Sequence, residues 1–563
     1  MIIRKGKDAP LRFDEITAVQ PTYQSLAADY ADVHEALDRG DLRRALAEWD
    51  RLRRVNETWL SLVHLHFSQD TLNPQYKSDR NYADELGPVI IGYDTAIRRR
   101  LLALDAAPVV TQYGQHALDI WRNEVTTFDA VIAEDLEEES RLEARYTELL
   151  ASAKIEFDGK ILNLAGLVPY TESLNRNTRY RATRTRWVFF EKNGDELDEI
   201  YSRLTRLRHA MACKLGDTTF TALGYRRMGR LDYGVEEVAS YRREILTHVV
   251  PLIGRVIRQR QHENHLDVLY AWDEALVDAA GNPKPEGDGD TLASKAQLMF
   301  NGMDSRLAGF YRRMNDGNFM DLMIRPTKAG GGFCTAFPIF GMPYIFANFN
   351  ETHHDIDVFT HEMGHAFQYY QSRNQPTVDY LWPTAEAAEI HSMALEFLSY
   401  PMIDTMFGEQ AERYRRMHLI SALEFLPYGA CVDHFQHEIY ANPNASPSER
   451  HTIWLKLERL YLPWRKWGDL SYPAKGGRWQ AQGHIFSSPF YYIDYTLAGC
   501  CALQFWVKSQ ENYRACFDAY VNLCSLGGSA PFTGLIEAAG LKSPFEPGVL
   551  EGVVKVAAQR LAL

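Results

Sequence analysis

The chain has 563 residues, more than one compact core spans, so two domains or one large two-lobed unit are expected. A hydrophobic content of 46% and an aromatic content of 12% exclude a disordered chain. A formal net charge of −13 argues against nucleic-acid and anionic-membrane partners.

The start, "MIIRKGKDAP", has no apolar core of a secretory signal. From Tyr23 to Phe67 apolar residues recur at helical spacing, with a break at Gly40-Asp41. A second long amphipathic run is expected over residues 117–154, with "DLEEES" (135–140) as its solvated face. The period then changes. In "KIEFDGKILNL", Ile155 and Phe157 alternate before Asp158-Gly159, and Leu162 and Leu164 after it. A two-residue turn there puts all four on one face of a β-hairpin near 154–164, because Asp-Gly supplies positive φ angles.

Helices are expected again over about 177–215 and 235–261. The basic run "RNTRYRATRTR" (176–186) reads as a solvated, salt-bridged helix face. Residues 273–290 are rich in Gly, Pro and Asp and read as a loop. "KAGGGFCTAFPIFGMPYIFANFN" reads as two short strands, with glycines permitting close backbone approach. Helices follow to the end, and "YTLAGCCALQFWV" is too short and mixed to cross a bilayer. The class is mainly α with a small β element. A helical amino-terminal lobe over 1–190 and a catalytic region over 191–563 are expected. Seven scattered cysteines without a CxxC pair suit free thiols in a reducing, cytoplasmic setting.

The chemistry centres on "HEMGH" (361–365). On a helix, His361 and His365 project from one face and can share one Zn²⁺, while Glu362 is placed to take a proton from metal-activated water. A catalytic zinc needs a third protein ligand. In "WPTAEAAEIHSMALEFLSY", Glu386, Glu389, Met393 and Glu396 share one stripe, a costly row unless a cation meets it. The alternative is a surface row with Ala387, Ala388, Ile390 and Leu395 buried. In "VDHFQHEIY", His434 and His437 with Glu438 could form a second metal site, but without further ligands nearby they read as structural or cleft-lining. His353 and His354 read as loop residues or substrate contacts.

"HEMGHAFQ" followed by "EAAEIHSMALEF" resembles the thimet oligopeptidase and oligoendopeptidase F family of zinc peptidases. In that family the third ligand is a Glu with Ser three residues later and Glu seven residues later. Glu389, Ser392 and Glu396 match this register and Glu386 does not. The resemblance therefore implies one Zn²⁺ per chain on His361, His365 and Glu389. Glu396 would orient a zinc histidine, and Asp357, one turn before His361, is a second such candidate. "GHIFSSPFYYIDYTLAG" (483–499) is similar to the family's late segment of one His followed by tyrosines, which donate to the substrate carbonyl. His484 and Tyr495, then Tyr491 and Tyr492, are the candidates for stabilising an oxyanion. "PYIFANFN" (343–350) resembles the edge strand on which a peptide adds. "YRRMGRLDY" (225–233) and "FDGKILNLAGL" (157–167) resemble the Pz-peptidase-like branch.

The resemblance implies a two-lobed, neurolysin-like helical zincin with a deep substrate channel. It would hydrolyse internal bonds of short unfolded oligopeptides. Two rivals are a helical HExxH zinc carboxypeptidase and a silent peptide-binding scaffold. The "EAAEIHS" register and "PFYYIDY" favour the endopeptidase over the first. Intact Glu362, both histidines and Glu389 count against the second. Oligomeric state is not legible.

Overall fold

The computed structural model describes residues 11–287 and 289–563. The first ten residues, read above for the lack of a secretory segment, and Asp288 of the expected loop lie outside the described residues. The helices used below are α1 (Tyr23–Asp38), α2 (Leu42–Gln69), α3 (Ala133–Ala151), α4 (Arg176–Lys192), α5 (Gly194–Lys214), α6 (His354–Ser372), α7 (Ala385–Leu398), α8 (Tyr492–Glu511) and α9 (Tyr513–Leu526). The fold is mainly α. Its described strands are β1 (Ile155–Phe157), β2 (Lys160–Leu162), β3 (Met320–Met323), β4 (Phe333–Phe337) and β5 (Met342–Phe349). No described helix is long and apolar enough to cross a membrane.

The chain forms two compact units, each assembled from three stretches. The first holds the described residues up to Val125, Lys284–Ala411 and Ala502–Leu541. The second holds Thr126–Pro283, Glu412–Cys501 and Lys542–Leu563. The boundary expected near residue 190 falls inside α4 of the second unit.

In the first unit, α1 and α2 part where expected. Gly40 takes φ +72°, a left-handed value open to glycine, and the Asp41 side chain accepts the Arg44 N–H at 3.2 Å to cap α2. The core beneath them buries Trp49, Trp59, Leu86 and Trp121, each worth roughly 2–3 kcal/mol of removed apolar surface. Its buried carboxylate, Asp94, accepts from Tyr30 Oη and Trp49 Nε1, both at 2.7 Å.

The run over 117–154 is not one helix. It breaks between Glu124 and Ala130, where β-branched Val125, Thr126 and Thr127 precede Asp129, whose side chain accepts the Val131 N–H at 3.1 Å. Nor is "DLEEES" wholly solvated. Glu139 is buried against Arg208 (2.6 Å) and Arg227 (3.1 Å), which hold its carboxyl below the usual range despite burial. The basic run on α4 departs from expectation in the same way: Arg179 is buried on Asp273 at 2.8 Å, and Arg176 joins it. In each case an ion pair makes a buried charge tolerable, and no local pattern announces the partner. The helix expected from 235 to 261 carries a π-turn at Ile245–Val249, which ends two residues before Pro251, whose missing N–H cannot continue the α ladder.

The hairpin forms as expected. Ile155 faces Leu162 and Phe157 faces Lys160, across Asp158 (φ +48°) and Gly159 (φ +74°). Ile155 and Phe157 are buried, with Leu162 and Leu164 packed against the same cluster.

The second sheet corrects the edge assignment. Its order is β3-β5-β4, parallel between β3 and β5 and antiparallel between β4 and β5. Residues 343–349 of that segment thus fall on the central strand, which is buried along nearly all its length, and β4 is an edge. The reason is the hairpin at Ile339–Gly341: it folds "FCTAF" back onto β5, while Met320–Asp321 closes β5's other side.

Candidate metal centre

Helix α6 follows β5 directly. Its loop is tied off by Asp355, which accepts the N–H groups of Asn350 (2.9 Å) and Glu351 (2.7 Å). Most of α6 is buried, including Phe359, Met363, Ala366 and Phe367. Helix α7 crosses it at close range, and Gly364 is what permits the crossing. A Cβ there would lie 2.5 Å from the His391 carbonyl oxygen and 2.6 Å from Ser392 Cα. Helix α9 backs the pair, with Tyr520 Oη donating to the His391 carbonyl at 2.9 Å.

This crossing brings His361, His365 and Glu389 together. One ligand atom from each lies within 4.8 Å of the others, with Glu389 Oε2 at 3.1 Å from His361 Nε2 and 3.5 Å from His365 Nε2. Glu396, two turns along α7, places Oε1 2.7 Å from His361 Nδ1. Ser392 donates to Glu389 Oε2 at 2.9 Å. The glutamates at 386 and 389 are buried with Ala387, Ile390 and Leu395, so they are no surface row.

The charges follow from this geometry. Burial disfavours the His361 imidazolium, but hydrogen bonds to Glu389 and Glu396 outweigh it and lift its pKa well above the ordinary value. Burial likewise opposes ionisation of Glu389, yet the charges and hydrogen bonds of His365 and His361 hold it well below the usual carboxylate range. Glu362 is raised by burial, which His361 and His365 only partly counter. Its Oε2 is buried without a hydrogen-bond partner. Two imidazoles and a carboxylate converge on one point, and Glu362, next to His361 in the chain, adds a buried, orphaned carboxylate oxygen. That donor set fits a divalent, borderline-soft cation with an open position for water.

β4 reaches this centre through "GGG". A Cβ at Gly332 would stand 2.9 Å from Val358 Cγ1 and 3.6 Å from Glu362 Oε1, so glycine lets the strand start beside the buried carboxylate. Asp357 accepts from His353, whose Nδ1 is 2.9 Å from Oδ2.

The remaining candidates assemble in the second unit. His484 stands among three tyrosine rings, with centroids at 5.8 Å (Tyr491), 5.1 Å (Tyr492) and 5.8 Å (Tyr495). Burial keeps the Tyr492 phenol neutral, as a donor. Two residues not singled out from sequence orient the imidazole. Tyr428 Oη donates to Gln482 Oε1 at 2.8 Å, which turns Gln482 Nε2 toward His484 Nδ1 at 2.9 Å. An amide N–H facing Nδ1 leaves the imidazole proton on Nε2. Gln482 lies two residues before His484, the one signal that could have found it. The turn into α8 is held by Arg230, which donates to the Phe490 carbonyl at 2.6 Å and Asp494 at 2.7 Å while Phe490 takes φ +67°.

His434 and His437 join no metal-ligating group among the described residues. They lie 3.1 Å from Tyr461 Oη and Tyr225 Oη, and burial pushes His437 down to about 4.

Residues 310–554 match the model of Peptidase family M3, and residues 13–128 match the Peptidase M3 N-terminal domain. Among solved structures, the chain is similar to a protein described as an oligoendopeptidase F, at 41% identity over 98% of this chain and 99% of that one (TM-score 0.94). It is similar to PZ peptidase A, solved with an inhibitor, at 39% identity over 98% and 99% (TM-score 0.94). A protein from Bacillus anthracis str. Ames, also described as an oligoendopeptidase F, shows 37% identity over 98% of both chains (TM-score 0.89). No curated protein sequence matches the chain.

Proposed function

The chain belongs to peptidase family M3 and is a metalloendopeptidase, and from that premise we propose a zinc-dependent oligoendopeptidase that cuts internal bonds of short, unfolded peptides. One observation carries the reading: His361, His365 and Glu389 converge beside Glu362, whose buried Oε2 has no partner of its own.

His361, His365 and Glu389 would hold the zinc, which when bound supplies a Lewis acid that acidifies water and polarises a carbonyl. Glu396 fixes His361 by accepting a hydrogen bond from its Nδ1–H, which commits Nε2 to the metal side. Asp357 is a further candidate for orienting the histidines. Glu362 accepts the proton of the attacking water and returns it to the leaving amine. Its raised affinity for protons, caused by burial, suits both steps. His484, with its proton on Nε2, and Tyr491, Tyr492 and Tyr495 are the candidate donors to the oxyanion, a role worth about 3 kcal/mol per donor. β4, the edge strand that starts beside Glu362, is the strand on which a peptide would add through main-chain hydrogen bonds. The limit to short peptides is implied by the family resemblance. Seven unpaired cysteines support a cytoplasmic setting.

The test is mass spectrometry of products from a peptide blocked at both ends, with and without chelator and zinc add-back. Internal cleavage that stops with chelator and returns with zinc is expected. Glu362→Gln should keep the metal and lose about 10²–10⁴-fold in kcat. Cleavage only of an unblocked control, from its carboxyl end, would replace this reading with the carboxypeptidase. Metal binding without any cleavage would leave the peptide-binding scaffold.

A further inference from the structure

A cavity of about 200 Å³ opens between α2 and the edge strand β4. Glu57, Leu60 and Ser61 line it from one face of α2, Thr335 and Ala336 from β4, and Trp382 closes one side. Helix α2 runs alongside the strand: Thr58 Oγ1 accepts the Ile339 N–H at 3.2 Å, and the His64 ring lies 5.3 Å from that of Phe333. The only acid lining the cavity is Glu57, and among the described residues it makes no hydrogen bond and no ion pair. The nearby cations are committed elsewhere. Arg53 is bound to Asp379 at 2.6 Å and to Thr377 at 3.2 Å, and Arg54 to Asp50 at 2.6 Å and the Gln375 carbonyl at 3.1 Å.

A carboxylate placed in a cavity without a cation is costly in isolation and is stabilised by a ligand that brings one. The cavity's place along β4 says which ligand reaches it. Gly332 adjoins Glu362, and Thr335 lies three residues further along the strand, about 10 Å at strand rise. A peptide added along β4 with its scissile bond at Glu362 would carry its second or third residue from that bond past Glu57. Trp382 and Leu60 offer apolar walls to an alkyl stem, and Ser61 a hydroxyl beside the head group.

We propose that Glu57 is a specificity-determining residue, receiving a cationic group of the peptide two to three residues from the scissile bond. This rests on the endopeptidase reading and on β4 as the peptide-binding edge. The cation has two sources of identical charge: a Lys or Arg side chain, or the free α-ammonium of a short peptide. Burial, which pushes the Glu57 carboxyl up to about 8 in the free protein, is consistent with a group that awaits a counter-charge.

The experiment uses the full chain and a set of peptides blocked at both ends. Lys replaces norleucine at one position at a time, up to four residues on either side of the cleaved bond. A parallel pair differs only in a free or acetylated amino terminus. The readout is the Lys-to-norleucine ratio of kcat/KM, expected to be at least about tenfold at one position and to fall toward one in Glu57→Gln. Glu57→Asp should keep part of the preference, which separates lost charge from damaged folding. A preference for the free terminus alone identifies the α-ammonium as the source. Fluorescence anisotropy measures the same ratio as affinities in Glu362→Gln and in Glu362→Gln/Glu57→Gln, where cleavage is slowed enough to read binding alone. An unchanged ratio on loss of Glu57, or no position with a preference, overturns the proposal. Preferential binding by an enzyme that cleaves none of the peptides would instead overturn the endopeptidase reading and leave the cationic site standing.

Discussion

Glu396 Oε1 lies 2.7 Å from Nδ1 of His361, while Nε2 of the same ring faces Glu389 Oε2 at 3.1 Å. One imidazole is thereby gripped at both nitrogens by carboxylates from a single helix. A carboxylate on Nδ1 fixes the tautomer and ring plane and makes Nε2 a better ligand. Glu396→Gln removes the charge and keeps the shape. Metal affinity should fall about 10–100-fold, measured by competition with a chromogenic chelator, and activity should return at high zinc. Unchanged affinity would reduce Glu396 to a packing role.

Gly364→Ala places a methyl 2.5 Å from the His391 carbonyl oxygen and 2.6 Å from Ser392 Cα. Both are backbone atoms of α7, so no side-chain rotation relieves the clash. The helices must part, at a cost of about 3 kcal/mol or more. Because that crossing also sets the distance from Glu389 to the two histidines, weaker metal binding should accompany the loss of denaturation midpoint. A stable variant with normal metal content would contradict this account.

Gln482→Glu keeps the size of the side chain but presents Nδ1 of His484 with a carboxylate in place of an amide donor. The imidazole proton then moves to Nδ1, and Nε2 can no longer donate. If His484 is an oxyanion donor, kcat should drop about 100-fold with KM little changed. The loss should shrink at acid pH, where the imidazolium that the added carboxylate favours regains an Nε2 proton. An unaltered kcat would remove His484 from the chemistry.

Stability should also carry the mark of Glu57. Burial raises its carboxyl from 4.5 to about 8, with Arg53 and Arg54 acting to lower it and Asp379 and Asp94 to raise it. The folded state binds the proton more tightly than the unfolded chain. This contribution is therefore complete below about pH 4.5 and is lost as pH rises through about 8. Between those limits the melting temperature of the wild type should decline with pH more steeply than that of Glu57→Gln. Parallel curves would place the carboxyl near its ordinary value.

Features that short-range spacing can encode are legible in the chain alone. His361, Glu362 and His365 share a helix face because of a three-to-four-residue rhythm, and Glu389, Ser392 and Glu396 repeat that rhythm downstream. The breaks at Gly40-Asp41 and Asp158-Gly159 were equally local, since each residue meets its own backbone demand. Contacts that join residues far apart in the chain were settled by packing. Glu139 and Arg179 look like solvated charges until Arg208 and Asp273 are found against them. The residues 343–350 read as an edge until β3 arrives on one side and β4 on the other. Gln482 gains a purpose only from Tyr428, 54 residues earlier, and Glu57 only from β4, which is reached some 280 residues later. Periodicity records which face of an element is buried, whereas a partner's identity is set by packing between elements, and no local pattern carries it.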